Sequence, residues 1–127
     1  PFVRASLMAR LINGARQAGG CIPTVPVTDT LKQVDASGVI VGTLDRRRIH
    51  LAQTPQTFSL ELIHHAHMVA AKNEFMATDD ASVAEFAQET VTAIPGDRDN
   101  IKITTPEDLI MAQTILDRWH SQRPGNA

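Results

Sequence analysis

Segments with strand-like composition alternate with amphipathic helical segments along the chain, and this alternation limits the possible folds more than any other feature. Apolar residues at spacings of three and four predict helices over residues 2–18, 60–72 and 107–119, with a shorter helix that ends near Glu89. The predicted order of elements is α-β-β-α-α-β-β-α. Because strands interleaved with helices favour layered folds, we expect a three-layer α/β sandwich.

Two prolines, Pro23 and Pro26, stand within the first strand-like run. Proline cannot donate a hydrogen bond to a neighbouring strand, so this run is predicted to be an edge strand or an extended arm. Extended segments over residues 28–34 and 39–44 then flank a glycine-containing turn and predict a β-hairpin. We expect this polar hairpin to form an extended arm over residues 26–46.

Three later segments complete the predicted set of elements. Residues 49–58 have the composition of an extended chain that then turns, and short strands are predicted over residues 90–94 and 101–103. Ser59 carries the side chain of a helix cap immediately before the 60–72 helix.

Composition narrows the class of protein. Of 127 residues, 43% are hydrophobic and 20% are charged, which is typical of a packed domain. Twelve basic and fourteen acidic residues give a net charge of −2, without the basic excess of a nucleic-acid-binding protein. No apolar run is long enough to cross a bilayer, and no secretory signal pattern is visible. The single cysteine excludes an internal disulfide and fits a reducing compartment. From the charge balance, the short apolar runs and the cysteine count together, we expect a cytoplasmic protein with no nucleic-acid or membrane partner.

Five motifs follow one another in order: Pro26-Val-Thr-Asp-Thr-Leu-Lys32, Thr43-Leu-Asp-Arg46, Gln53-Thr-Pro-Gln56, Thr78-Asp-Asp-Ala-Ser82 and Asp99-Asn-Ile-Lys-Ile-Thr-Thr-Pro-Glu-Asp108. Each motif alone is weak evidence. In this succession, the chain from Pro1 to about Leu116 resembles the methylerythritol-phosphate cytidylyltransferases of non-mevalonate isoprenoid synthesis. The resemblance implies a nucleotidyltransferase fold of Rossmann-like type. It also implies transfer of CMP from CTP to 2-C-methyl-D-erythritol 4-phosphate, with release of pyrophosphate.

Two alternatives stay open. The ribitol-5-phosphate cytidylyltransferases share the Gln53–Gln56 motif and the 100–104 motif. The Thr43–Arg46 motif resembles the methylerythritol enzymes more closely, as does Thr78–Ser82, where the ribitol enzymes tend to place a cysteine. The second alternative is a non-catalytic dimerisation fragment.

The resemblance also implies a missing partner segment. Pro1-Phe-Val3 is similar to the sequence that follows an Asp-Ala-Ala-Arg segment in the family. A missing N-terminal half would then carry the glycine-rich CTP loop, its catalytic lysine and the aspartate that binds Mg²⁺, and this chain would have no metal ligand. We expect residues 1–120 to be the C-terminal part of a cytidylyltransferase domain, inactive without that half. Residues 121–127 would be a tail, or a linker to a fused cyclodiphosphate synthase.

By resemblance, Arg46 and Lys102 are the catalytic residues and bind the acceptor phosphate. A guanidinium can hold phosphate through two parallel hydrogen bonds. The competing interpretation of Arg46 is one solvated member of an arginine triplet, and its place after Thr-Leu-Asp favours the ligand role instead. Lys102 stands between two isoleucines, and strand alternation would direct its side chain to the opposite face from both. The competing interpretation is an exposed strand lysine.

The resemblance also assigns substrate-binding hydroxyls to Thr30, Thr54 and Thr78. The alternatives are a strand residue, a turn residue before proline and a helix cap, respectively. We further expect Asp99 to orient Lys102.

Partner and packing roles follow for other residues. In the resembled family the arm reaches into a neighbouring subunit, so Thr30 and Arg46 would complete the partner's site in a homodimer. Without matching acid or cysteine ligands, His64, His65 and His67 are interpreted as a polar helix face rather than a metal site. Cys21 is expected to be a packed thiol, and Trp119 a packing anchor.

Overall fold

A computed structural model describes residues 1–121 of the chain. Its elements are α1 (Ala5–Ala18), β1 (Gly20–Pro26), β2 (Leu31–Val34), β3 (Ile40–Leu44), a short 3-10 helix (Arg46–Arg48), β4 (His50–Ala52), β5 (Thr57–Phe58), α2 (Leu60–Lys72), α3 (Asp80–Phe86), β6 (Val91–Pro95) and α4 (Pro106–Ser121). The predicted elements are present apart from the strand over residues 101–103. No helix among residues 1–121 has both the length and the apolar character that a membrane span requires.

Strand β1 lies at the centre of the main sheet, so its prediction as an edge strand or arm was wrong. Strands β4 and β5 pair antiparallel with one side of β1, and β6 pairs parallel with the other side. The prolines are tolerated because of this arrangement. β4 pairs with residues 24–26 and β5 with residues 20–21, so Pro23 lies opposite the gap between them. Its carbonyl still accepts a hydrogen bond from the backbone N of Gln53 at 2.8 Å.

Helices cover both faces of this sheet. On one face, Leu7, Leu11 and Ala15 of α1 pack with Cys21 and Ile94. On the other face, α2 and α3 form a second core cluster that includes Phe58 and Val91. Val91 and Ile94 lie three residues apart on β6 and therefore project to opposite faces. The predicted three-layer α/β sandwich is confirmed.

Helix α4 packs against the amino-terminal segment. Phe2 is buried with Ala112 and Ile115, and its ring meets Trp119 edge-on at a centroid distance of 5.3 Å. The Arg4 guanidinium lies 4.3 Å from the Trp119 ring centre. The prediction of Trp119 as a packing anchor is thus confirmed. α1 begins at Ala5 rather than residue 2 because the first residues pack in extended form, and α4 continues to Ser121. The remaining tail residues, 122–127, lie outside the described part of the chain.

Strands β2 and β3, with the turn that joins them, form a separate two-stranded sheet within the predicted segment, and from here on we call residues 31–44 the arm. The Asp35 carboxylate closes its turn by accepting hydrogen bonds from the backbone of Ser37 and Val39, at 2.9 and 3.0 Å. Five apolar side chains on the arm are 44–60% exposed: Val34, Val39, Ile40, Val41 and Leu44. The arm therefore presents an apolar surface that this single chain leaves uncovered.

One local prediction and one alternative interpretation need correction. Residues 101–103 run extended without strand pairing, because within the described residues no neighbouring strand lies beside them. Thr78 is not the cap of α3. Asp79 is the cap, since its carboxylate accepts from the backbone N of Ser82 at 2.9 Å while the Ser82 hydroxyl accepts from the Asp79 backbone N. The predicted cap of α2 is confirmed, with the Ser59 hydroxyl accepting from the Leu62 backbone N at 3.3 Å.

Candidate functional site

A cleft of about 540 Å³ opens beside Val25 of β1 and Leu51 and Ala52 of β4. Its walls come from four places: β1 and β4 themselves, the Gln53–Gln56 segment, the turn before α3, and residues 98–102. Three predicted ligands, Thr54, Thr78 and Lys102, line this cleft, and all three also line an adjoining cavity of about 460 Å³. Residues 24 to 48 positions apart in sequence are thereby brought to one site.

The Thr54 segment is held against the loop that leads to Lys102. The Thr54–Pro55 peptide is cis. Asn100, only 6% exposed, donates from its side-chain amide to the Thr54 carbonyl at 2.6 Å. The Gln53 side chain donates to the carbonyls of Asp97 and Asn100, at 2.8 and 3.2 Å, and accepts from the Asp97 backbone N at 3.2 Å.

The Gln53–Gln56 motif also holds the segment that carries Thr78. Gln56 donates to the Asp79 carboxylate at 2.7 Å and accepts from the backbone N of Ala81 at 2.8 Å. Partial burial raises the pKa of the Asp79 carboxyl, but hydrogen bonds from Gln56 and Ser82 outweigh burial and hold this pKa below its ordinary value. Asp79 is therefore an anion with its oxygens already engaged, and its role in the site is structural.

Lys102 presents an exposed ammonium group to the cleft. Ile101 and Ile103 both pack against the core beneath α4, as the alternation argument predicted even though no strand forms, and Ile101 also lines the cleft. Among residues 1–121 no carboxylate pairs with Lys102. Its charge is thus available to an anionic ligand.

Asp99 points away from Lys102 toward α4. Its carboxylate accepts from the Trp119 indole N at 2.8 Å and from the Arg118 guanidinium, while Arg4 lies 3.5 Å away. The hydrogen bond from Trp119 lowers the pKa of the Asp99 carboxyl; burial raises it, and the two arginines lower it further, for a net decrease. The expected orienting bond to Lys102 is not among the described contacts, so Asp99 anchors α4 instead.

Thr30 directly precedes the arm and Arg46 follows it, and neither lines the cleft. Both are exposed, and the Arg46 guanidinium donates to the Thr28 carbonyl. The neighbouring Arg47 is engaged by Asp45 at 2.6 Å, which leaves Arg46 and Arg48 as the cations of the triplet without a described carboxylate partner. One chain therefore does not bring all five predicted ligands together.

Sequence reasoning missed several residues of the cleft: Gln53, Gln56, Asp79, Arg98 and Asn100. Four of them stand inside the motifs that carried the resemblance, and polar residues beside Thr54 and Thr78 were the available signal. Arg98 lies outside every motif, directly before the last one, and nothing in the local pattern marked it.

The other candidate residues have packing or pairing roles. Cys21 is fully buried, and burial raises the pKa of its thiol, which confirms a packed group. His65 contacts Glu89 at 3.0 Å and His67 contacts Asp80 at 3.1 Å. These contacts link α2 to the first residue of α3 and to the segment that follows α3. Within residues 1–121 no group of three or more His, Cys, Asp or Glu is placed to hold a metal ion.

Comparison with known proteins identifies relatives over nearly the whole chain. Residues 1–118 match the family model described as 2-C-methyl-D-erythritol 4-phosphate cytidylyltransferase. The protein of that name from Syntrophus aciditrophicus is 46% identical over 91% of this chain and 50% of its own length. A bifunctional enzyme IspD/IspF from a Bradyrhizobium strain is 48% identical over 91% of this chain and 30% of its own length.

A solved structure shows the same fold. The 4-diphosphocytidyl-2C-methyl-D-erythritol synthase from Anaerococcus prevotii superposes with a TM-score of 0.83 at 35% identity, covering 93% of this chain and 55% of its own. This chain spans about half the length of the single-function relatives it matches. Its α/β sandwich is accordingly of the Rossmann-like nucleotidyltransferase type, and the chain belongs to the 2-C-methyl-D-erythritol 4-phosphate cytidylyltransferase family.

Proposed function

We propose that this chain is the acceptor side of an enzyme that transfers CMP from CTP to 2-C-methyl-D-erythritol 4-phosphate, in the synthesis of isoprenoid precursors. One observation carries the proposal: Thr54, Thr78 and Lys102 meet at one cleft in a member of this family. Relatives named as cytidylyltransferases that match most of the chain support the reaction type.

The proposed chemistry joins two anions, so its main requirement is to offset negative charge. An oxygen of the acceptor phosphate attacks the α-phosphorus of CTP, a new P–O bond forms, and the bond to pyrophosphate breaks. Lys102 would neutralise the acceptor phosphate and the charge that builds at the attacked phosphorus. The hydroxyls of Thr54 and Thr78 would donate to the phosphate or the polyol. No covalent intermediate with the chain is needed, so positioning and charge supply the catalysis.

We propose that CTP binds to the half of the relatives' length that this chain does not span. The glycine-rich loop, its lysine and the Mg²⁺ ligand would lie in that half, so the chain alone would not turn over CTP. Residues 1–121 do not offer a fitting set of metal ligands: the cleft contains one carboxylate, Asp79, and it is already bound by Gln56 and Ser82. No step of the proposed reaction therefore depends on a metal held by this chain.

The arm supplies the remaining ligands in the proposal. Thr30 and Arg46 lie away from their own cleft, and the arm between them exposes five apolar side chains. We propose a homodimer in which each arm reaches the neighbouring subunit, so that its Thr30 and Arg46 complete the partner's cleft. The proposed setting is the cytoplasm.

The test combines this chain with the amino-terminal half of the Syntrophus aciditrophicus relative and measures pyrophosphate release from CTP. Turnover is expected with 2-C-methyl-D-erythritol 4-phosphate. Loss of one charged donor should lower kcat/KM about 100-fold or more in Arg46→Ala and Lys102→Ala. The matched controls Arg48→Ala and Lys72→Ala remove exposed cations outside the cleft and should leave activity unchanged.

Three results would count against the proposal. Undiminished turnover in both site variants would remove the site assignment. A preference for ribitol 5-phosphate would favour the ribitol-5-phosphate cytidylyltransferase alternative. Absence of any turnover by the combined halves would favour a non-catalytic dimerisation fragment.

A further inference from the structure

We propose that Gln53 and Gln56, which flank Thr54 and Pro55, are positioning residues. Gln56 fixes Thr78 relative to Thr54, and Gln53 fixes Lys102 relative to Thr54. The inference rests on the proposed acceptor site, because it concerns how the ligands of that site are kept in place.

Gln56 reaches from the Thr54 segment to the start of α3. It binds two groups there, the Asp79 carboxylate at 2.7 Å and the Ala81 backbone N at 2.8 Å. The Ala81 N–H is one of the first in the helix and has no partner within it. Thr78 directly precedes Asp79, and its own backbone N donates to the Ser82 hydroxyl at 3.2 Å. The turn that carries Thr78 is therefore held from both sides, and Gln56 is its connection to Thr54.

Gln53 makes the corresponding connection on the other wall. Its side-chain amide pairs with both the backbone N–H and the carbonyl of Asp97, and donates as well to the Asn100 carbonyl. Asn100 returns a hydrogen bond to the Thr54 carbonyl at 2.6 Å. These bonds close a ring from Gln53 through Asn100 back to Thr54. Lys102 follows two residues after Asn100, so this ring sets where its backbone lies.

Both positions require an amide. Each glutamine uses its N–H₂ as a donor and its carbonyl as an acceptor at the same time. A glutamate at either position could only accept, and a methionine of similar size would do neither. Both side chains are half-buried, so water replaces these bonds poorly.

A purely structural role predicts a different outcome from a positioning role. If the glutamines only stabilise the fold, their loss lowers the melting temperature and leaves KM of the folded enzyme unchanged. If they position ligands, their loss raises KM for the acceptor, and this effect depends on the ligand that each one holds. Residues that act through a shared contact give non-additive effects.

The experiment measures KM for 2-C-methyl-D-erythritol 4-phosphate in the combined halves described above. Displacement of a ligand by about 1 Å should raise KM about tenfold or more in Gln56→Met and in Gln53→Met. In a Thr78→Val background, Gln56→Met should add little, and in a Lys102→Ala background Gln53→Met should add little. Gln113→Met is the control, because Gln113 also donates to a carboxylate, at 2.7 Å, but lies on α4. Additive effects in both cycles, or unchanged KM in both single variants, would overturn the proposal.

An exchange of polarity gives a second test that does not depend on removing groups. Gln56→Glu alone sets two carboxylates against each other, and Asp79→Asn alone sets two amide donors against each other. The double variant again places one donor opposite one acceptor. The amide introduced by Asp79→Asn would donate to the carboxylate introduced by Gln56→Glu, and asparagine is also a good cap for α3. Each single variant should raise KM and the double variant should recover most of the loss. A double variant no better than either single one contradicts the assignment of Gln56.

Nuclear magnetic resonance separates this inference from the proposed function. In the 127-residue chain alone, Gln56→Met should shift the backbone amide signals of Thr78 and Ala81, speed hydrogen exchange at Ala81, and leave Asp97 unaffected. Gln53→Met should shift the backbone amide signals of Asp97 and Asn100, speed hydrogen exchange at Asp97, and leave Thr78 and Ala81 unaffected. If the combined halves show no turnover, the proposed function fails while these spectra still decide the positioning role. Unperturbed amides in both variants would refute it.

Discussion

Gly96 is the residue beside the cleft that leaves least room for a side chain. A Cβ atom there would lie 2.1 Å from the Gln53 side-chain oxygen and 3.1 Å from the Thr24 carbonyl. The Gly96 backbone N is fixed by a hydrogen bond to that carbonyl at 2.8 Å, so the backbone cannot easily yield. We expect Gly96→Ala to displace Gln53 and to lower the free energy of unfolding by about 1–3 kcal/mol in urea titrations.

The control for this prediction lies on the arm. A Cβ atom added at Gly42 would meet no other atom within 4 Å, so Gly42→Ala should change the free energy of unfolding by less than about 0.5 kcal/mol. Equal effects of the two substitutions would contradict the prediction, because neither glycine has a positive φ and only Gly96 has Gln53 within contact distance.

Single residues of the site were predictable only where a motif marked them. Thr54, Thr78 and Lys102 were named from the sequence, and the structure places them at one cleft. The roles of Gln53 and Gln56 were not visible, because their partners lie 44 and 23 positions away, respectively. A side-chain amide gives no local sign of which backbone groups it will meet.

Among the elements, β1 shows how tertiary context overrides a local rule. Prolines predicted an edge, yet Pro23 occupies the central strand, because two short strands rather than one long strand pair along that side of β1. The lengths of β4 and β5 depend on where residues 53–56 leave the sheet, and the sequence of β1 alone does not contain that information. The helices, in contrast, followed from apolar spacing and capping residues, as Ser59 illustrates.

The docking of α4 should depend on pH through Asp99. The folded protein holds the pKa of this carboxyl below its ordinary value of about 3.9. The stabilisation is therefore complete above that ordinary value and is lost as pH falls through the folded value. Asp99→Asn should lower the free energy of unfolding by about 1 kcal/mol near neutral pH, because it weakens charged hydrogen bonds to Arg118 and Trp119.

Urea titrations at about pH 7 and about pH 2.5 check this prediction, since the difference between wild type and Asp99→Asn should narrow in acid. Asp29→Asn, an exposed position before the arm, is the control and should have little effect at either pH. A difference that stays constant or widens in acid would show that the charge of Asp99 does not stabilise α4.

For the whole molecule, the arm is the feature that one chain does not explain. An isolated two-stranded hairpin is marginally stable in water, and this one leaves apolar side chains uncovered. We expect the chain to form a dimer, at twice the chain mass of 13.8 kDa in light scattering. Ile40→Lys would place a charge on the covered surface and should give monomers. Ile110→Lys, on α4 where Ile110 is 72% exposed, should leave the dimer intact.

Exchange of arms makes a stronger prediction, that two inactive subunits restore each other's activity. A subunit with Arg46→Ala keeps an intact cleft, and a subunit with Lys102→Ala keeps an intact arm. In a mixed dimer, one site then combines the intact cleft with the intact arm. Random pairing gives mixed dimers half of the time, so turnover, measured in the presence of the amino-terminal half described above, should recover to about a quarter of the wild-type value. Mixing Arg46→Ala with Thr30→Val is the control, because both changes lie on the arm side and no site has a complete arm. If the first mixture stays inactive while each variant still dimerises, Arg46 serves its own subunit and the arms do not exchange ligands.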